Sequence, residues 1–230
     1  MYRRDYILGL IEQAAVAVYK AAAARRNAQW EQAMALLSQA MKQLLGMNSK
    51  LLGALSVKDL IAMLSQDGGV DQGKVLAAGD LLNAEAAVWK DAGNEAASRQ
   101  SALKCAELLL TAMELDARNE LKEEFNERLE LALGLAGRAP KSAELLEKLI
   151  PYCNASGKLA DAEDALFQWL DELEKSGQWE RRLAAAEEGI RMCEKWLLLD
   201  EGKISAGGLT TDEIQSTIQD LMKMKANSHT

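Results

Sequence analysis

The chain has a single histidine, His229, next to its last residue, and only two prolines and three cysteines in 230 residues. One histidine leaves no Ser/His or Cys/His arrangement for nucleophilic catalysis, and acid–base work would fall to a carboxylate or a lysine. It also leaves no Glu-x-x-His motif of the kind that binds paired metals in helical bundles. The expectation is a non-enzyme with no catalytic residue, no metal site and no cofactor. Cys105, Cys153 and Cys193 are odd in number, far apart and set in apolar helical patterns, which predicts buried free thiols rather than a disulfide or a metal site. No stretch approaches about 18 uninterrupted apolar residues, which argues against a membrane span. The start M-Y-R-R-D-Y-I-L-G-L-I-E-Q is basic, but Asp5, Glu12 and Gln13 interrupt any signal-peptide core. The expected location is the cytoplasm.

What is abundant is alanine and leucine. The chain is 49% hydrophobic with 5% aromatic residues, and so few prolines leave long segments free of helix breakers. Length allows one large domain or two small ones. Periodicity then fixes the class as all-α. Ile7, Leu10, Ile11, Ala14, Val18 and Ala21 recur every three or four residues and predict a helix over Asp5–Arg25, with a partner over Trp30–Leu45 ended by Gly46. Ser56-Val57-Lys58-Asp59 reads as a capping box that opens a helix to Ser65. Asp67-Gly68-Gly69 is the strongest breaker of the first half. It divides an N-terminal hairpin region, 1–66, from a helical array, 71–226, unless the two form one continuous domain. Helices are expected at Asp71–Asp91, Glu95–Leu115 and Asn119–Leu135, then at Ser142–Cys153, Leu159–Glu174 and Trp179–Leu199. Pro151 should kink or shorten its helix. D-E-G-K-I-S-A-G-G-L-T reads as a flexible loop, and Thr210 with Glu213 caps a last helix to about Lys225.

The run G-K-L-A-D-A-E-D-A-L (Gly157–Leu166) resembles the middle of a tetratricopeptide repeat (TPR). Gly157 ends one helix, bulky Leu159 follows, and Ala162 stands where two helices cross closely. Asn27–Met41 is similar in part through Trp30, Ala33, Leu37 and Ala40, with Ala28 in place of the turn glycine. Ala112–Asn119 resembles the close of the repeat, with Ala117 where proline is usual. The resemblance implies TPR-like antiparallel helical hairpins stacked into an α-solenoid. W-E-Q-A-M-A-L-L, G-M-N-S-K-L-L and S-V-K-D-L-I-A-M-L-S are also similar to the opening of a bacterial family of uncharacterised helical proteins, over roughly the first half. That likeness implies no catalytic residues.

Gly68-Gly69-Val70-Asp71-Gln72-Gly73-Lys74 has the spacing of a phosphate-binding loop, but Val75 stands where Ser or Thr would hold magnesium, and a helix precedes it where a buried strand is needed. It is read as a Gly-rich linker. Glu120, Glu123, Glu124, Glu127 and Glu130 line one helix, with Arg128 placed to offset part of their repulsion. Of these, Glu120, Glu123 and Glu127 are the candidate partner-binding residues, against the alternative of a merely solvated face. The first fifty residues carry seven Lys/Arg against three Asp/Glu, a balance of +4, so the rest carries −12 of the net −8. An acidic body argues against nucleic acid as a partner. The expected function is a non-catalytic scaffold or adaptor binding a protein or peptide in the concave face of a TPR-like array. The alternatives are a regulatory sensor whose groove takes a small signalling ligand or peptide, and a self-associating structural protein such as a homodimer.

Overall fold

The computed structural model describes residues 2–66, 69–115 and 120–227, and is all-α apart from one four-residue β-ribbon among them. Close packing divides the chain into two compact units, Met1–Ala139 and Pro140–Thr230. Helices on either side of the Asp67-Gly68-Gly69 break expected from the sequence pack together within the first unit. Asp67 and Gly68 themselves lie outside the described residues.

The first unit runs α1 (Tyr2–Arg26), α2 (Trp30–Leu45), α3 (Ser49–Ala54), α4 (Val57–Met63), β1 (Ser65–Gln66), β2 (Gly69–Val70), α5 (Gln72–Asp91), α6 (Glu95–Leu115) and α7 (Lys122–Ala136). The two strands pair antiparallel, Ser65 opposite Val70 and Gln66 opposite Gly69. Helix α5 is the axis of the unit, with α1, α2, α6 and α7 all packed against it. The reason is in its sequence: Val75, Leu76, Ala77, Ala78, Leu81, Leu82, Ala86 and Val88 are apolar on every side and all buried, and a helix apolar all round must be covered all round. Small residues set the approach distances. A Cβ on Gly73 would stand 3.2 Å from the backbone of Ile7, and one on Gly79 would stand 3.2 Å from Leu109 Cδ2. Ala86, Ala102 and Ala136 meet where α5, α6 and α7 converge.

The second unit runs α8 (Ala143–Ala155), α9 (Leu159–Lys175), α10 (Trp179–Trp196), α11 (Glu201–Ala206) and α12 (Thr211–Asn227). Helix α9 packs on α8 and α10, and α12 on α10. Helix α8 runs through Pro151 without being shortened, since the proline is exposed and the backbone bond it cannot make lies towards solvent. The expected flexible loop is structured: Asp200 caps α11 by accepting from Lys203 N at 3.0 Å, and Ile204 and Leu209 are buried beneath it. Capping behaves as expected at Thr210, which exchanges bonds with Glu213 in both directions at 2.8 and 3.3 Å. At Ser56 the cap accepts from Asp59 N at 3.1 Å, but the Asp59 carboxylate takes the Ser56 hydroxyl at 2.6 Å rather than a backbone amide.

Helix α1 stands apart from the other core helices. An 18-residue window within Arg4–Arg26 has a mean hydropathy of 1.4, yet only 22% of that window is buried. By length and composition it is the one helix among the described residues apolar enough to cross a membrane. Glu12 and Lys20 break its apolar run without offsetting the average.

Candidate functional site

The face that α1 turns into the unit carries Ile7, Leu10, Ala14, Ala21 and Ala24, all buried. Its opposite face is apolar in part. Leu8, Val16 and Tyr19 are 48%, 55% and 70% exposed, and Ala15 beside them is exposed too. A helix with one buried stripe usually presents charge on the other side; here charge enters as Arg4, Asp5, Glu12, Lys20 and Arg26, all exposed, with apolar residues set between them. Along one edge of this face a groove of about 430 Å³ runs between α1 and α2, floored by Val16, Ala17, Leu36, Ala40 and Leu44 and rimmed by Glu12, Lys20 and Gln43. Apolar floor and polar rim are the chemistry of a groove that receives a helix or peptide. Sequence reasoning missed it because residues 8, 15, 16 and 19 repeat at helical spacing like any core stripe. The signal was that α1 carries two such stripes, one more than a single packed face uses.

The predicted acidic surface is only partly as expected. Glu123 and Glu127 are exposed on α7, opposite the buried Phe125, Leu129 and Ala132. Glu120 is exposed as well, but it lies in the turn before α7 rather than on the helix, which begins at Lys122. Asn119 lies outside the described residues. Arg128 does not pair with the carboxylate of Glu124. Its Nη1 donates to the Glu124 carbonyl at 2.8 Å and its Nη2 to Asp80 Oδ2 at 2.8 Å, so it is turned inward and does not offset the Glu124 carboxylate.

That ion pair is one of two polar groups on α5 which the sequence reading passed over. Asn83 Nδ2 donates to the Arg128 carbonyl at 2.9 Å. Glu85, 8% exposed, accepts from Ser49 Oγ at 2.9 Å, from Ser101 Oγ at 3.3 Å and from the Trp89 side chain. Burial pushes both carboxyls above their ordinary range; the Arg128 bond opposes this at Asp80, and the Ser49, Trp89 and Ser101 bonds oppose it at Glu85. The Arg128 group ties α5 to α7, and the Glu85 group ties it to α3 and α6. Each carboxylate is held by neighbours from the protein itself, and its role is structural. Glu85 was legible in principle, since Leu81, Leu82, Val88 and Trp89 surround it at three- and four-residue spacing.

No disulfide joins the three cysteines, and all three are buried. Burial raises Cys105 far above the ordinary thiol range and Cys193 to about 12, so neither supplies a thiolate nucleophile near neutral pH. Among the described residues no group of His, Cys, Asp and Glu is arranged to hold a metal. In the Gly-rich stretch, Asp71 caps α5 by accepting from Lys74 N at 3.1 Å, and Gly73 lies against α1. That amide and that glycine, which a phosphate would need, are already used in packing.

The features so far define an all-α protein built of helix hairpins, with exposed apolar residues along one helix face. It belongs to the family of unknown function DUF6483, which it matches over residues 1–226. The match extends well beyond the first half, where the sequence resembles an uncharacterised helical family. No curated protein and no solved structure matches the chain.

Proposed function

We propose that the chain is a non-catalytic protein-binding scaffold, and that its partner docks on the exposed face of α1 and the adjoining α1–α2 groove. The single observation that carries this reading is the exposure of Leu8, Val16 and Tyr19 on one helix beside a groove with an apolar floor. Contiguous apolar surface on a water-exposed helix costs free energy unless something covers it. Aromatic residues such as Tyr19 are favoured anchors in interfaces because they bury much area with little rotamer entropy.

The finer reading is that the hairpins are TPR-like. Its support is the likeness of three turns. Gln29, Lys158 and Gln178 precede a bulky Trp30, Leu159 and Trp179, with φ/ψ of −92/64, −87/72 and −89/62. Each follows a residue of positive φ, namely Ala28, Gly157 and Gly177.

A photo-crosslinking amino acid at position 19, used in the native cell, tests the reading. Adducts heavier than the chain are expected from position 19 and not from the exposed position 205. Equal labelling from both sites, or none from position 19, overturns it.

A further inference from the structure

We infer that the occupant of the α1 face is a second copy of the chain, joined through antiparallel pairing of α1 with α1. This rests on the protein-binding reading above and names its partner.

The argument is charge complementarity about one point. Val16 sits near the middle of the exposed stripe. Glu12 lies four residues before it and Lys20 four residues after it. Turn a second α1 end for end over Val16, and each Glu12 comes opposite the Lys20 of the other copy. Asp5, eleven residues before Val16, comes within one residue of the other copy's Arg26, ten residues after it. Arg4 falls opposite Ala28, past the end of the facing helix. Each match occurs twice because the arrangement is two-fold.

All four charged groups are exposed, and none has an ion-pair partner among the described residues. A parallel pairing in register would instead set Glu12 on Glu12, Lys20 on Lys20, Asp5 on Asp5 and Arg26 on Arg26, four like-charge contacts in place of four opposite ones. The apolar residues agree with the antiparallel choice. Val16 meets Val16 at the two-fold axis, while Ala15 and Tyr19 flank it and Glu12 and Lys20 close the rim. This is the arrangement of apolar seam and charged flank that fixes orientation in paired helices. Each partner would also bring its α1–α2 groove to the edge of the seam, so that the apolar floor lined by Leu36, Ala40 and Leu44 is covered in the same step.

The test uses the full chain. Light scattering after gel filtration should give a mass of about twice the 25.1 kDa of one chain. Val16→Cys, mildly oxidised, should give a disulfide-linked dimer, because only residues at the axis meet their own copies. Leu8→Cys should not, because an antiparallel copy carries its own Leu8 some 16 residues away along the helix. The native thiols are buried and should not interfere. Glu12→Lys should raise the dimer dissociation constant about tenfold, the scale of two exposed ion pairs turned repulsive. Glu12→Lys combined with Lys20→Glu should restore it. Val16 is more than half exposed and Glu12 is on the surface, so these variants keep the fold.

A monomer at high micromolar concentration overturns the inference, as does Leu8→Cys linking as readily as Val16→Cys. A monomer that floats with phosphatidylcholine–phosphatidylglycerol vesicles assigns the face to a lipid surface and also overturns it. If the probe at position 19 gives adducts whose added mass is not that of this chain, the second copy is excluded while the protein-binding reading stands. If it gives none, both fail.

Discussion

The amide of Gln29 donates to the carbonyl of Ala24 at 3.0 Å, across a turn whose left-handed residue is Ala28, φ 56°. The same five-residue bond closes three other hairpins, from Asn94 to Trp89, Lys158 to Cys153 and Gln178 to Leu173, each at 2.9 Å. In those three the left-handed residue is Gly93, Gly157 or Gly177. Ala28 is therefore the one alanine doing a glycine's work in this turn.

Ala28→Gly should relieve that conformation. A left-handed L-residue costs roughly 1–2 kcal/mol, against which the glycine loses somewhat more backbone entropy on folding. The expected net gain is about 0.5–1 kcal/mol in urea unfolding. The reverse change at an equivalent turn, Gly157→Ala, should cost about 1 kcal/mol or more, although open space surrounds a Cβ there. An Ala28→Gly variant less stable than the parent would mean that this turn is not held in the left-handed region.

This turn also shows how much of the fold the sequence disclosed. Helix ends were legible wherever local chemistry sets them: Trp30–Leu45 and Glu95–Leu115 are found as expected, and the caps at Ser56 and Thr210 are short-range hydrogen bonds. What was not legible depends on long-range contacts. Asp67-Gly68-Gly69 has the composition of a boundary, but whether α1 folds back onto α5 across it is decided by the fit of Gly73 to Ile7 and Leu10. The orientation of Arg128 is likewise settled by Asp80, 48 residues away. An i,i+4 rule along α7 alone sees only Glu124. The exposed face of α1 was hidden for a related reason, because a second apolar stripe differs from a core stripe only in having nothing packed on it.

Glu85 makes stability depend on pH in a stated direction. Burial raises its pKa above the unfolded value, so between the two values the folded chain holds a proton that the unfolded chain has released. Its contribution is therefore most favourable at or below the ordinary glutamate range, and is lost as pH rises through the raised pKa. Asp80 acts in the same sense, reduced by Arg128. Glu85→Gln should flatten the dependence of melting temperature on pH above the ordinary carboxylate range, and leave the variant at least as stable as the parent at neutral pH. Glu85→Ala should behave differently, because it strands the Ser49, Ser101 and Trp89 donors and costs about 1–3 kcal/mol. A parent melting temperature that climbs with pH through this window would contradict the buried, protonatable state.

Gly189 marks a tight helix crossing in the second unit. A Cβ there would stand 2.5 Å from Leu166 Cδ2 and 3.2 Å from Leu221 Cδ1, so α10 lies against both α9 and α12 with no room for a methyl group. Gly189→Ala gains helix propensity of about 1 kcal/mol, but it must displace two fully packed leucines, and overpacking of that kind typically costs about 1–3 kcal/mol. A net destabilisation is expected. Ala162→Leu, at a residue with no exposed surface, should cost about 1–3 kcal/mol for the same reason. If Gly189→Ala were stabilising, propensity would have won and the crossing would be looser than 2.5 Å implies.

The acidic residues Glu120, Glu123 and Glu127 give the last test, and position separates their effects. Glu123 lies in the first turn of α7, where a negative charge faces the positive end of the helix dipole and is favourable by about 0.3–1 kcal/mol. Glu127 lies one turn further on, four residues from Glu123 and three from Glu130, where like charges cost a few tenths of a kcal/mol per pair. Glu127→Gln should therefore raise the melting temperature slightly at low salt, and Glu123→Gln should leave it unchanged or lower it. Both differences should shrink as salt screens them. If the stripe instead receives a basic segment of a partner, replacing all three by Gln should slow association and flatten its salt dependence, since exposed charges act mainly on encounter. Surface plasmon resonance against the recovered partner across a salt series reads this directly. An affinity that does not change, together with the stability pattern above, assigns the stripe to solvent and leaves the α1 face as the binding surface.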